Sequence, residues 1–124
     1  MTAMTANFDA LPWHDAVLLR IHVDRSTPGT RDEVVLDVEW PDGSRQKVGF
    51  TDCYRADLAL NFGVLASESI REGMVLAGDP DLAEVRQKWA RLGVDLSDLK
   101  LFRVATNSTA SEIRIFARSF YLGL

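Results

Sequence analysis

The chain has 124 residues, 47% of them apolar and 26% charged, a balance that suits one packed domain and excludes a largely disordered chain. Its formal net charge is −4 with both signs interspersed, so it lacks the basic footprint that neutralises phosphates, and nucleic acid is not an expected partner. A single cysteine, Cys53, excludes an intrachain disulfide, and no segment approaches the roughly 18 consecutive apolar residues of a membrane span; the expected setting is cytoplasmic, with no membrane contact.

Residues 1–12 carry no period of either kind and are expected to form a loose N-terminal leader before a single α+β domain over 13–124. From Ala16 to Asp24, Val17, Leu19, Ile21 and Val23 alternate with Leu18, Arg20, His22 and Asp24, the two-residue period of a strand with one dry face. The Pro28-Gly29 pair marks a turn, after which Val34, Leu36, Val38 and Trp40 alternate with Val35, Asp37 and Glu39. Pro41-Asp42-Gly43 then turns the chain into Gln46, Val48 and Phe50, predicting a hairpin. Asp37 and Glu39 on one arm face Arg45 and Lys47 on the other, which helps to fix the register.

The alternation continues through Tyr54, Ala56, Leu58, Leu60, Phe62 and Val64, predicting a fourth strand, while residues 66–78 suit either a short helix or a short strand. Asp79-Pro80 is a helix opening, and Leu82, Val85, Trp89 and Leu92 recur at helical spacing until Gly93. That apolar stripe is expected to cover the dry face of the sheet. Residues 99–106 and 112–122 are rich in β-branched and aromatic side chains around a polar Asn107-Ser108-Thr109-Ala110 turn, predicting a closing hairpin. The expected fold is therefore α+β: an antiparallel sheet of about six strands, β-β-β-β-α-β-β, with one main helix packed on one face.

Trp13-His14-Asp15 is the first candidate for chemistry, because a carboxylate can hold a histidine in one tautomer as a general base. Strand alternation would instead send His14 and Asp15 to opposite faces. Cys53 is a candidate nucleophile with His14 as its base, although Asp52 next to it should raise the thiol pKa. His14 and His22 are too far apart along one strand to share a metal, no spacing matches a zinc or calcium loop, and no cofactor motif is present. Asn107, Ser108 and Thr109 either bond their own turn or form a polar contact site at a hairpin tip.

Trp13-His14-Asp15-Ala16 followed by an Ile/Leu/Val strand, then Asp52-Cys53-Tyr54, Asn61-Phe62-Gly63 and Thr106-Asn107-Ser108-Thr109-Ala110-Ser111, resembles small uncharacterised bacterial proteins, some similar to immunity proteins of polymorphic toxin systems. The resemblance spans most of residues 13–122 and implies no catalytic residues. It implies a non-catalytic binding protein that blocks a toxin partner, and the mild acidity suits a basic partner. Two alternatives stand beside it: a small-molecule-binding or enzymatic domain using the His14, Cys53 and Tyr54 region, and a homodimer joined along an exposed strand or through Phe120-Tyr121-Leu122.

Overall fold

A computed structural model describes residues 7–124. Its strands are β1 (Val17–Asp24), β2 (Glu33–Glu39), β3 (Arg45–Ala59), β4 (Ile70–Leu76), β5 (Lys100–Thr106) and β6 (Glu112–Gly123), with one helix, α1 (Pro80–Ala90), between β4 and β5. They form one antiparallel sheet in the order β1-β2-β3-β6-β5-β4, so the α+β, mostly-sheet reading holds. The hairpin register is the expected one: Asp37 lies opposite Lys47 and Glu39 opposite Arg45, each joined by an ion pair.

The two edge strands of this sheet meet. Leu18 N–H donates to the Glu68 carbonyl at 2.9 Å, Ile70 N–H donates to the Ala16 carbonyl at 2.7 Å, and Val17 bridges Ser69. The sheet is thereby curled and closed at one end, and its inner face holds the main core. Val34, Leu36 and Val38 of β2, Val48 and Phe50 of β3, Phe102 and Val104 of β5, and Ile113, Ile115 and Ala117 of β6 all pack there. Closure removes an edge that would otherwise expose unpaired backbone groups.

The described part of the expected leader is anchored. Phe8, in a short 3₁₀ turn (Phe8–Ala10), is buried among Trp13, Phe50, Phe102 and Phe120, with ring centroids 4.9 to 5.9 Å away. Trp13 Nε1 donates to the Phe8 carbonyl at 2.8 Å, and Asp9 accepts the Val75 N–H at 2.7 Å, which ties this segment to β4. One aromatic residue in a polar stretch carries no period, so the alternation rule missed it. Residues 1–6 of the expected leader lie outside the described residues.

Strand phase and boundaries also depart from the alternation. A bulge between Leu18 and Arg20 adds a residue to β1, so Leu18 packs against the core and Leu19 is exposed, the reverse of the expected facing. The expected third and fourth strands are one strand, β3, bent by an irregularity between Cys53 and Arg55 next to Asp52, whose φ is 54°. The ambiguous 66–78 region supplies the separate fourth strand, β4.

Helix α1 begins as expected, with Asp79 capping the Asp81 N–H at 2.8 Å and Pro80 in the first turn. It does not cover the main core. Leu82 and Val85 pack with Leu96 and Leu99 on the outer face, over Leu101 and Phe116, because curling had already enclosed the inner face. Trp89 is half-buried, with its ring edge-on to Tyr54 at 5.0 Å. Arg114 fastens the start of the helix to the sheet by reaching Asp57 at 3.1 Å, Asp79 at 3.3 Å and Asp81 at 2.9 Å.

Candidate functional site

Three of the segments singled out from sequence converge where the sheet closes. Trp13 to Ala16 enters β1 there, and the Asp15 N–H donates to the Ile70 carbonyl at 3.0 Å. The loop between β5 and β6 lies beside it, with the Asn107 N–H donating to the Ser69 carbonyl at 2.8 Å. Asn61 ties in the third segment: its N–H donates to Ser111 Oγ at 2.9 Å, and its side-chain amide donates to the Thr109 and Ala110 carbonyls at 3.0 and 3.1 Å.

His14 and Asp15 do not diverge as strand alternation predicts. Asp15 has a φ of 68°, outside strand geometry, so its carboxylate turns back to lie 3.6 Å from His14 Nε2. Both side chains are largely exposed, and His14 Nδ1 lies 3.4 Å from the Arg71 carbonyl. The pair sits on the surface.

Ser108 and Thr109 are committed to the closure itself. Ser108 Oγ donates to the Ser67 carbonyl at 2.5 Å and accepts the Ser69 N–H at 3.3 Å. The Thr109 N–H donates to Glu68 Oε1 at 3.1 Å, and its hydroxyl donates to Glu68 Oε2 while lying 2.6 Å from Ser111 Oγ. Apart from the Thr109–Ser111 contact, these are long-range bonds across the seam and not the local turn bonds expected of Ser108 and Thr109. Asn107 alone of the three is exposed.

Cys53 and Tyr54 belong to another place. Cys53 lines a cleft of about 230 Å³ with Val23, Asp24, Asp32 and Glu33, at the far end of β1 from His14. An eight-residue strand spans roughly 25 Å, so His14 and Cys53 are not brought together. Burial pushes the Cys53 thiol up to about 12, and the nearby carboxylates of Asp32, Glu33 and Asp52 add to the effect. Such a thiol is protonated and inert at neutral pH. Adjacent to it on the strand, Tyr54 joins the cluster beneath α1 instead.

Sequence reasoning missed an exposed apolar segment. Beyond the end of β3, Leu60 to Leu65 leaves the sheet, with Phe62 84% exposed, Val64 half-exposed and Leu65 fully exposed. A groove of about 400 Å³ separates this segment from Leu18, Leu19 and Ile21 of β1, with Glu68 and Thr109 among its polar lining. Alternation had counted Phe62 and Val64 as inward members of a strand. Asn61 and Gly63, the latter at a φ of 98°, were the available signals that the strand had ended.

Among the described residues, no group of three or more His, Cys, Asp or Glu is placed to hold a metal ion, and no helix is long and apolar enough to cross a membrane. The chain matches no protein-family model and no curated protein.

Proposed function

We propose that this chain is a non-catalytic binding protein, and that its partner is a protein, in the manner of an immunity-like inhibitor of a bacterial toxin. The observation that carries this reading is the Leu60–Leu65 segment. Exposed apolar side chains scattered singly are ordinary, but Phe62, Val64 and Leu65 stand together on one short segment beside an apolar groove. A contiguous exposed apolar patch of this kind, with an aromatic side chain at its centre, is what marks an interaction surface. The net charge of −4 favours a basic partner during encounter.

The segment is also held at its base. Three hydrogen bonds from Asn61 tie it to the loop between β5 and β6, so less conformational freedom is lost on binding than for a free loop. The inert Cys53 thiol and its separation from His14 weigh against the enzymatic alternative that uses those residues.

The test is co-purification with the product of a neighbouring gene, followed by calorimetry with the double variant Phe62→Asp/Leu65→Asp. Loss of these anchors is expected to weaken binding by at least about 3 kcal/mol, more than a hundredfold, while the melting temperature of the free chain stays within a few degrees. Failure of every neighbouring product to bind at micromolar concentration, or unchanged affinity of the double variant, removes the proposal.

A further inference from the structure

Closure of the sheet stops at Leu18. Among the described residues, Arg20 to Asp24 make backbone hydrogen bonds only to β2, which leaves the opposite edge of β1 unpaired. Free strand edges are templates for a further strand. Arg20, His22 and Asp24 follow one another on one face of this edge and Ile21 and Val23 on the other, with Val23 46% exposed.

We infer that β1 pairs with β1 of a second copy of this chain, antiparallel, about a two-fold axis at His22. The charge pattern selects this register. In an antiparallel pair, directly opposed residues share a face, so each symmetric register sets one residue against itself. An axis at Arg20 opposes two arginines, and an axis at Ile21 sets Arg20 against His22 of the other copy. An axis at Val23 draws Arg25 and Ser26, which lie outside the strand, into the pairing.

With the axis at His22, all five free residues pair within β1. Arg20 meets Asp24 twice, once on each side of the axis, and Ile21 meets Val23 twice on the other face. Asp37 supports the arrangement, since its carboxylate lies 2.9 Å from His22 Nε2 and 3.4 Å from Arg20 and so holds both side chains on one face beside the axis. The groove beside Leu19 and Ile21 leaves room where the second strand would approach the closed end of the sheet. The result is one sheet continuous through two copies, its second strand entering the groove that the Leu60–Leu65 segment borders on the other side.

Light scattering across micromolar to millimolar concentration is expected to show a monomer–dimer equilibrium in the wild type. Asp24→Arg, which sets like charges opposite each other, is expected to weaken dimerisation at least about tenfold. Val23→Lys provides the same test through the other face, should Asp24→Arg fold poorly. Opposed Cβ atoms lie about 4.5–5.5 Å apart, near disulfide range, so His22→Cys is expected to cross-link two copies on mild oxidation whereas Lys88→Cys, on α1, is not. A monomer at every concentration overturns the inference. So does a dimer that survives both Asp24→Arg and Val23→Lys, or one that His22→Cys fails to cross-link, because each of these results places the contact elsewhere.

Discussion

Asp37→Asn separates charge from shape at the best-paired carboxylate on the outer face of the sheet. The Asp37 side chain is only 12% exposed and accepts from Lys47 Nζ at 2.9 Å, while His22 Nε2 lies 2.9 Å away and Arg20 3.4 Å away. The hydrogen bonds from His22 and Lys47 hold its carboxyl at about 2, below the ordinary value of 3.8. A displacement of that size corresponds to roughly 2 kcal/mol of stabilisation of the folded, ionised state. Lys47 and Arg20 are themselves about half or more exposed, so solvent and salt reduce this to about 1–2 kcal/mol.

The pH window follows from the direction of the shift. Above about pH 4 the carboxylate is ionised in the folded and unfolded chain alike, and its full contribution is present. As pH falls from 3.8 towards 2, the unfolded chain takes up the proton first, and the contribution is lost. Urea unfolding of wild type and Asp37→Asn between pH 2 and pH 7 is expected to give a gap of about 1–2 kcal/mol at neutral pH that closes by about pH 2. Differencing the two proteins cancels the titration of every other carboxylate, and high salt should narrow the neutral-pH gap. A gap of constant size down to pH 2 would assign the effect to packing and refute the charge argument; no gap at pH 7 would refute the pairing.

Three further outcomes follow from close contacts. A Cβ at Gly73 would lie 2.7 Å from the Trp13 indole, which is buried and bonded to Phe8, so Gly73→Ala should cost about 1–3 kcal/mol in urea unfolding, while Gly78→Ala, with open space around it, should be nearly neutral. Cys53, its thiol raised by burial and by carboxylates, should resist a thiol reagent at pH 8 in the folded protein and react in full once urea unfolds it; rapid native labelling would contradict its placement. Arg114→Met removes the partner of Asp57, Asp79 and Asp81 from a largely buried site, and should destabilise the protein by about 2–4 kcal/mol with early loss of hydrogen-exchange protection in α1.

The sequence was legible where local signals agreed and no distant contact overrode them. In β2 and the start of β3, strict alternation, a Pro-Asp-Gly turn and opposed charges all pointed to one register, and the strands pair in that register. Asp79-Pro80 was equally direct, since capping is a local event. Legibility failed where tertiary closure decided the outcome. Nothing local to Leu18 and Leu19 announces a bulge, yet the bulge reverses which leucine is buried. The helix stripe was read correctly but assigned to the wrong surface, because the curling that hides the inner face depends on Ala16–Leu18 meeting Glu68–Ile70 from some fifty residues away.

The same closure explains why the candidate surface lay hidden in plain sequence. Leu60, Phe62 and Val64 continue the alternation of β3, and in an open sheet they would have extended its dry face. Closure instead draws Glu68 to Ile70 across to β1, and the chain must leave β3 after Ala59 to make that crossing. Asn61 and Gly63 supply the turn, the hydroxyls of Ser111, Thr109 and Ser108 bond Asn61, Glu68 and Ser69 on either side of it, and the apolar side chains between are left facing water. Their exposure is therefore a consequence of how the sheet is sealed, and a chain selected for stability alone would gain by making Phe62 and Leu65 polar. Apolar side chains displayed where closure turns the chain outward are the physical feature on which the proposed partner rests.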